Sequence, residues 1–138
     1  MKKLLFIMLL PLVAAVAAAQ ESRPFDVTIR NAEYKIYIRL NLYDSNVKVP
    51  GQDVLGEVGG YFGSTQSSTK WFIVGSRLID GQTAEIDVVN DYGSEDFTAT
   101  LKANADGTYS YKKESGSTLK FAVRGKWQKL PSRLELKR

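Results

Sequence analysis

The sequence predicts an all-β domain, an antiparallel up-and-down meander of about eight or nine strands closing into a small barrel. Three observations carry that prediction. After Pro24, apolar and polar residues alternate with period two almost throughout; turn-forming pairs recur at short intervals; and no stretch shows a helical period. Closure follows from the edges, because a meander left open exposes two strand edges that invite aggregation, whereas a barrel has none. A β-sandwich built from the same strands is the alternative.

The elements are read in order. Strands are expected near Val27 to Arg30, Tyr34 to Tyr43, Val54 to Phe62, Lys70 to Ile79, Thr83 to Asn90, Glu95 to Ala103, Thr108 to Lys113, Thr118 to Arg124 and Arg133 to Lys137. In the second, Tyr34, Ile36, Ile38, Leu40 and Leu42 alternate with Lys35, Tyr37, Arg39, Asn41 and Tyr43, the signature of a half-buried strand. Ala84, Ile86 and Val88 alternate with Glu85 and Asp87 in the same way, as do Phe97, Ala99, Leu101 and Ala103 with Thr98, Thr100 and Lys102. Asp80-Gly81 and Asp106-Gly107 suit tight hairpin turns, so they join antiparallel neighbours. Trp71 and Phe72 point to opposite faces of one strand, so one of them is expected to face away from the core. Gly56, Gly59, Gly60 and Gly63 precede no helix that could cradle a phosphate and are read as strand bends or bulges.

Before these strands comes a different pattern. Met1-Lys2-Lys3 leads an apolar run from Leu4 to Ala19, interrupted by Pro11 and closed by Ala17-Ala18-Ala19. A basic start, an apolar stretch shorter than the roughly 20 residues of a spanning helix and small residues before Gln20 make a cleavable secretory signal peptide. The expected organisation is a signal peptide over 1–19 and a single β-barrel domain over 20–138, periplasmic or secreted, without a membrane span and monomeric. Losing Lys2 and Lys3 leaves 17 basic against 15 acidic residues, a formal charge of +2. No nucleic-acid partner is implied by so small an excess.

The chain has no cysteine and no histidine. No disulfide therefore supports this domain, and the soft and imidazole ligands that favour transition metals are missing. Histidine, the usual acid and base near neutral pH, is missing as well. Binding is therefore the expected function rather than catalysis, and no cofactor is expected. Asn90, Asp91, Ser94, Glu95 and Asp96 place oxygen ligands in one short loop, but their spacing matches no calcium loop; the carboxylates of the same loop are candidates for the paired acids of glycoside hydrolysis.

Charge is uneven along the chain. Asp80, Glu85, Asp87, Asp91, Glu95, Asp96 and Asp106 face a single base, Lys102, between 80 and 106. Between 111 and 138, Lys112, Lys113, Lys120, Arg124, Lys126, Lys129, Arg133, Lys137 and Arg138 face only Glu114 and Glu135. Neighbouring strands of opposite charge pair somewhat better, and a basic C-terminal wall also steers an anionic partner. Within that basic stretch Arg124-Gly125-Lys126-Trp127-Gln128-Lys129-Leu130-Pro131 reads as a loop. Trp127 there is either a plug for the barrel end or the aromatic anchor of a binding loop rimmed by Arg124, Lys126 and Lys129.

Gly56-Glu57-Val58-Gly59-Gly60-Tyr61-Phe62-Gly63, Lys70-Trp71-Phe72-Ile73-Val74 and Ala105-Asp106-Gly107-Thr108-Tyr109-Ser110-Tyr111 resemble the strand and turn style of small lipocalin-like β-barrel proteins that Gram-negative bacteria export. The resemblance spans Val54 to Arg138, implies a barrel in the periplasm and includes no catalytic motif. The functional expectation is an exported non-enzymatic binding protein that engages another protein through its loops, as an inhibitor or immunity factor does, with Arg124, Lys126, Trp127 and Lys129 as contact residues. A lipocalin-like carrier of a small apolar ligand is the alternative, with Ile36, Ile38, Leu101 and Phe121 lining its cavity. Export has a direct check: N-terminal sequencing of the exported protein should begin at or beside Gln20, and an intact Met1 would refute the leader.

Overall fold

The computed structural model describes residues 23–138, so the expected signal peptide lies outside the described residues. Twelve strands follow in chain order: β1 (Asp26–Asn31), β2 (Ile36–Asn41), β3 (Val47–Lys48), β4 (Glu57–Val58), β5 (Gly60–Ser64), β6 (Ser67–Asp80), β7 (Thr83–Asn90), β8 (Asp96–Ala103), β9 (Thr108–Gly116), β10 (Lys120–Val123), β11 (Lys126–Lys129) and β12 (Arg133–Lys137). Eight of them close a barrel in the order β1, β2, β5, β6, β7, β8, β9, β12 and back to β1, every pair antiparallel. The expected up-and-down barrel is therefore present, with two short hairpins inserted, β3–β4 between β2 and β5 and β10–β11 between β9 and β12. No helix occurs among the described residues, so none there is long and apolar enough to cross a membrane.

The period-two pattern works because each ladder stacks inward residues on inward residues. One belt runs Ile29, Ile38, Phe62, Trp71 and Asn90 across five successive strands, all buried. Asn90 is the polar member, and its side-chain oxygen accepts from the Ser94 amide at 2.9 Å, closing the β7–β8 turn. The centre of the barrel is aromatic. Phe97 meets Phe62 and Tyr111 edge-on at 6.0 and 6.4 Å between centroids and tilts against Trp71 at 5.4 Å. Such pairs add about 0.5–1.5 kcal/mol each beyond the area they bury. Phe25 enters from the N-terminal side against Tyr109, whose hydroxyl donates to the Pro24 carbonyl.

A second apolar cluster lies outside the wall. Val47, Val49 and Val58 of the β3–β4 region pack on Tyr61 and Phe72. Phe72 does face away from the barrel core, as its strand parity requires, yet it is buried because the β3–β4 hairpin covers it. The stretch expected as one strand from Val54 to Phe62 is instead split: Val54 and Leu55 sit in an exposed loop, β4 pairs with β3, and the chain joins the barrel through the backbone of Gly59 and the β5 strand that follows. Gly60 marks the parting because any Cβ there would run into the Arg39 carbonyl. Gly63 has a related role, since a Cβ would come within 2.5 Å of the Tyr37 ring that lies across the ladder from it. Thr118 to Arg124 also departs from expectation, because β10 pairs with β11 rather than with the barrel. Alternation records which faces are apolar but not which strand lies alongside.

Closure is thinnest between β1 and β12. Their register consists of the single pair Arg30 and Lys137, supplemented by the Asn31 side-chain amide donating to the Glu135 carbonyl at 2.9 Å.

Leu101, fully buried between Ala84 and Tyr111, should lose about 2–5 kcal/mol of stability as Leu101→Ala, read by denaturant unfolding. Burial pushes the Tyr111 hydroxyl well above its usual value near 10. The unfolded chain therefore ionises first: the contribution is complete below about pH 10 and is lost as pH rises from there towards the folded pKa. Tyr111→Phe should flatten the alkaline fall in stability between pH 10 and 12 while leaving the slope at neutral pH unchanged.

Candidate functional site

The inserted β10–β11 hairpin is built on a turn that the sequence specifies. Arg124 and Gly125 both take positive φ, 52° and 77°, as two-residue hairpin turns require. The segment expected as a loop from Arg124 to Pro131 is thus a turn followed by a strand, β11. Register places Ala122 opposite Trp127 and Lys120 opposite Lys129, so these four share one face, while Phe121 and Gln128 share the other.

The two faces differ in environment. Phe121 is fully buried, as are Leu119 and Leu130 just outside the strands, and all three belong to the barrel core with Trp71 and Phe97. The Trp71 indole N–H donates to the Lys120 carbonyl at 2.8 Å, and the Ala122 amide donates to Thr69 Oγ1 at 3.3 Å. These contacts fasten the hairpin over the start of β6. The barrel-end plug that the sequence sought in Trp127 is Phe121. Trp127 itself is 54% exposed.

Trp127 is held rather than free. Lys120 Nζ lies 4.8 Å from the centre of its ring, a cation–π contact contributing about 0.5–1 kcal/mol at an exposed position. The same ammonium pairs with Glu95 at 3.1 Å, which ties the hairpin to the β7–β8 turn. Lys129 lies beside this arrangement, Arg124 occupies the turn and Lys126 lies on the opposite face near the tip; all three are exposed. Among the described residues none of these three cations enters an ion pair. Of the four sequence-predicted contact residues, then, Trp127 and Lys129 share a face, and Arg124 and Lys126 flank it at the tip. Lys120 and Glu95, which position the ring, were not identified from sequence, because their meeting depends on a contact between two separate turns.

The acidic loop is occupied with structural work. Asn90 caps its own turn, accepting from both the Ser94 and Glu95 amides, and Glu95 holds Lys120. Among the described residues no three acids converge in a way that would hold a metal ion. A separate apolar surface also escaped the sequence reading: Val54 is 95% exposed and Tyr92 82%, and together with Leu55 they border a groove of about 490 Å³ floored by Phe72 and Val89. Apolar residues inside turn-rich stretches were its only signal. No family model, curated protein or solved structure matches the chain.

Proposed function

We propose that the chain is an exported, non-enzymatic binding protein that engages another protein through the β10–β11 hairpin, in the manner of an inhibitor or immunity factor. The observation that carries the reading is Trp127: a large aromatic side chain displayed on a hairpin whose opposite face is anchored in the core, oriented by Lys120 and near Arg124, Lys126 and Lys129, which form no ion pair among the described residues. An aromatic anchor preset in one orientation loses little entropy on docking, and basic neighbours speed encounter with an acidic surface.

Two further observations favour surface recognition over carriage of a small apolar ligand. Ile36, Ile38, Leu101 and Phe121, the side chains that a cavity would need, are in the packed core. The space among them is taken by the rings of Phe62, Phe97, Tyr111 and Trp71. The resemblance to exported lipocalin-like barrels supports the compartment, and the absence of histidine and cysteine supports binding over catalysis.

The protein spanning 20–138 is to be used as bait against envelope extract and culture supernatant, with mass spectrometry of both proteins and lipids. A stoichiometric protein partner is expected; recovery of lipid alone would overturn the reading. With the partner in hand, Trp127→Ala should reduce affinity roughly thirtyfold, about 2 kcal/mol, with a stability change near 0.5–1 kcal/mol or less from the lost Lys120 contact. Lys126→Ala should slow association mainly at low salt. An unchanged affinity for Trp127→Ala in calorimetry would remove the hairpin from the interface.

A further inference from the structure

β6 is longer than the neighbour on one of its sides. It pairs with β7 from Trp71 to Asp80, but with the β5 segment only as far as Ile73. The last hydrogen bond on that side runs from the Gly59 amide to the Ile73 carbonyl at 3.2 Å. Beyond it the chain turns away so that β4 can pair with β3, and a wedge opens. Among the described residues, β6 from Val74 to Asp80 has no strand on this side.

The wedge is a cleft of about 520 Å³, with Val58 and Glu57 on one wall, Val74 and Ser76 on the other, and Leu42 and Ile73 behind. The open edge carries large apolar side chains, Val74, Leu78 and Ile79, at 49%, 47% and 60% exposure. An edge with free backbone donors and acceptors beside an apolar cleft is the geometry in which an extended peptide adds as an extra strand.

The charge of the surroundings selects the peptide. From Val74 to Asn90 there are three acids, Asp80, Glu85 and Asp87, against Arg77, and Arg77 is already paired with Glu85. Glu85 and Asp87 belong to β7, on the paired side of β6, where Asp87 lies against Gly75, so the charge at the open edge itself is that of Glu57 and Asp80. Glu57 is exposed at the cleft with no ion pair among the described residues, although Lys48 stands opposite it in the β3–β4 ladder.

We infer that the open edge of β6 between Val74 and Asp80 is a docking site for an extended segment of a partner protein that alternates apolar residues and carries a lysine or arginine beside Glu57. Main-chain hydrogen bonds to β6 hold the segment, its apolar side chains enter the cleft, and its base meets Glu57. This surface is separate from the Trp127 hairpin, and either can fail without the other.

The test selects from a displayed library of random heptapeptides against the protein spanning 20–138, then measures a synthetic peptide of the enriched sequence by calorimetry and by amide hydrogen exchange. Enriched peptides should alternate apolar residues and contain a base, and binding should slow exchange within Val74 to Asp80. Glu57→Lys should weaken binding about two- to fivefold, the range that cross-strand charge pairs support. Val74→Lys should weaken it further, and Trp127→Ala should leave it unchanged. All three positions are exposed, and circular dichroism checks that each variant stays folded. The inference is overturned by peptides that lack the pattern, by protection elsewhere, by indifference to Glu57→Lys and Val74→Lys, or by loss on Trp127→Ala. It is overturned as well if the same amides become protected by concentration alone, since the occupant is then a second copy of the chain.

Discussion

Everything in this fold depends on filling a closed barrel with rings in a chain that has no disulfide to fall back on. Phe97 lies at the junction, touching Phe62, Tyr111 and Trp71, and those three come from strands that are not all neighbours in the wall. Ladder hydrogen bonds fix neighbour to neighbour, but only contacts across the interior fix one side of the barrel to the other. The single β1–β12 register pair makes the point: closure there is held less by the ladder than by what β1 and β12 both bury, Ile29 from one side, Leu134 and Leu136 from the other.

Filling the interior also determines what is left for recognition. A barrel of eight strands is either packed by its own side chains or holds one small ligand, and here aromatic rings occupy the axis. The large exposed apolar side chains lie on the outer wall, in the turns and on the inserted hairpins. The Trp71 indole illustrates the coupling, because one side chain packs the core and also pins Lys120, whose ammonium then orients Trp127. Trp127 is exposed, but its orientation is fixed through a buried side chain.

β6 connects the two surfaces. Its first residues, around Thr69 and Trp71, carry the β10–β11 hairpin, and its last, from Val74 on, have no strand on one side. The same departure of β4 from β6 opens the edge and covers Phe72, since the chain that leaves the ladder becomes the hairpin lying over that ring. An unpaired edge normally carries a cost in aggregation, and the bulges within β6 at Ile73 to Gly75 and Leu78 to Asp80, with the charge on Arg77, limit it.

By itself the sequence determined the strand content and the meander, because period-two burial and turn chemistry are local properties written in neighbouring residues; it ranked a barrel ahead of a sandwich from the cost of open edges, and the ladders closed it. The Asp80-Gly81 and Asp106-Gly107 turns join β6 to β7 and β8 to β9 as read, and the inward faces of β7 and β8 are the expected ones. It also singled out Trp127 and its cations, from composition in a short stretch. What only the tertiary structure decided depends on distant partners. Trp127 is displayed because Phe121 takes the core position beside it. β10 leaves the barrel although its alternation matches that of a barrel strand. Val54 and Leu55, apolar and next to β4, end up in the open. In each case the local pattern was correct about polarity and silent about neighbours, since which strand lies alongside is set by loop geometry and long-range packing rather than by the residues of the strand itself.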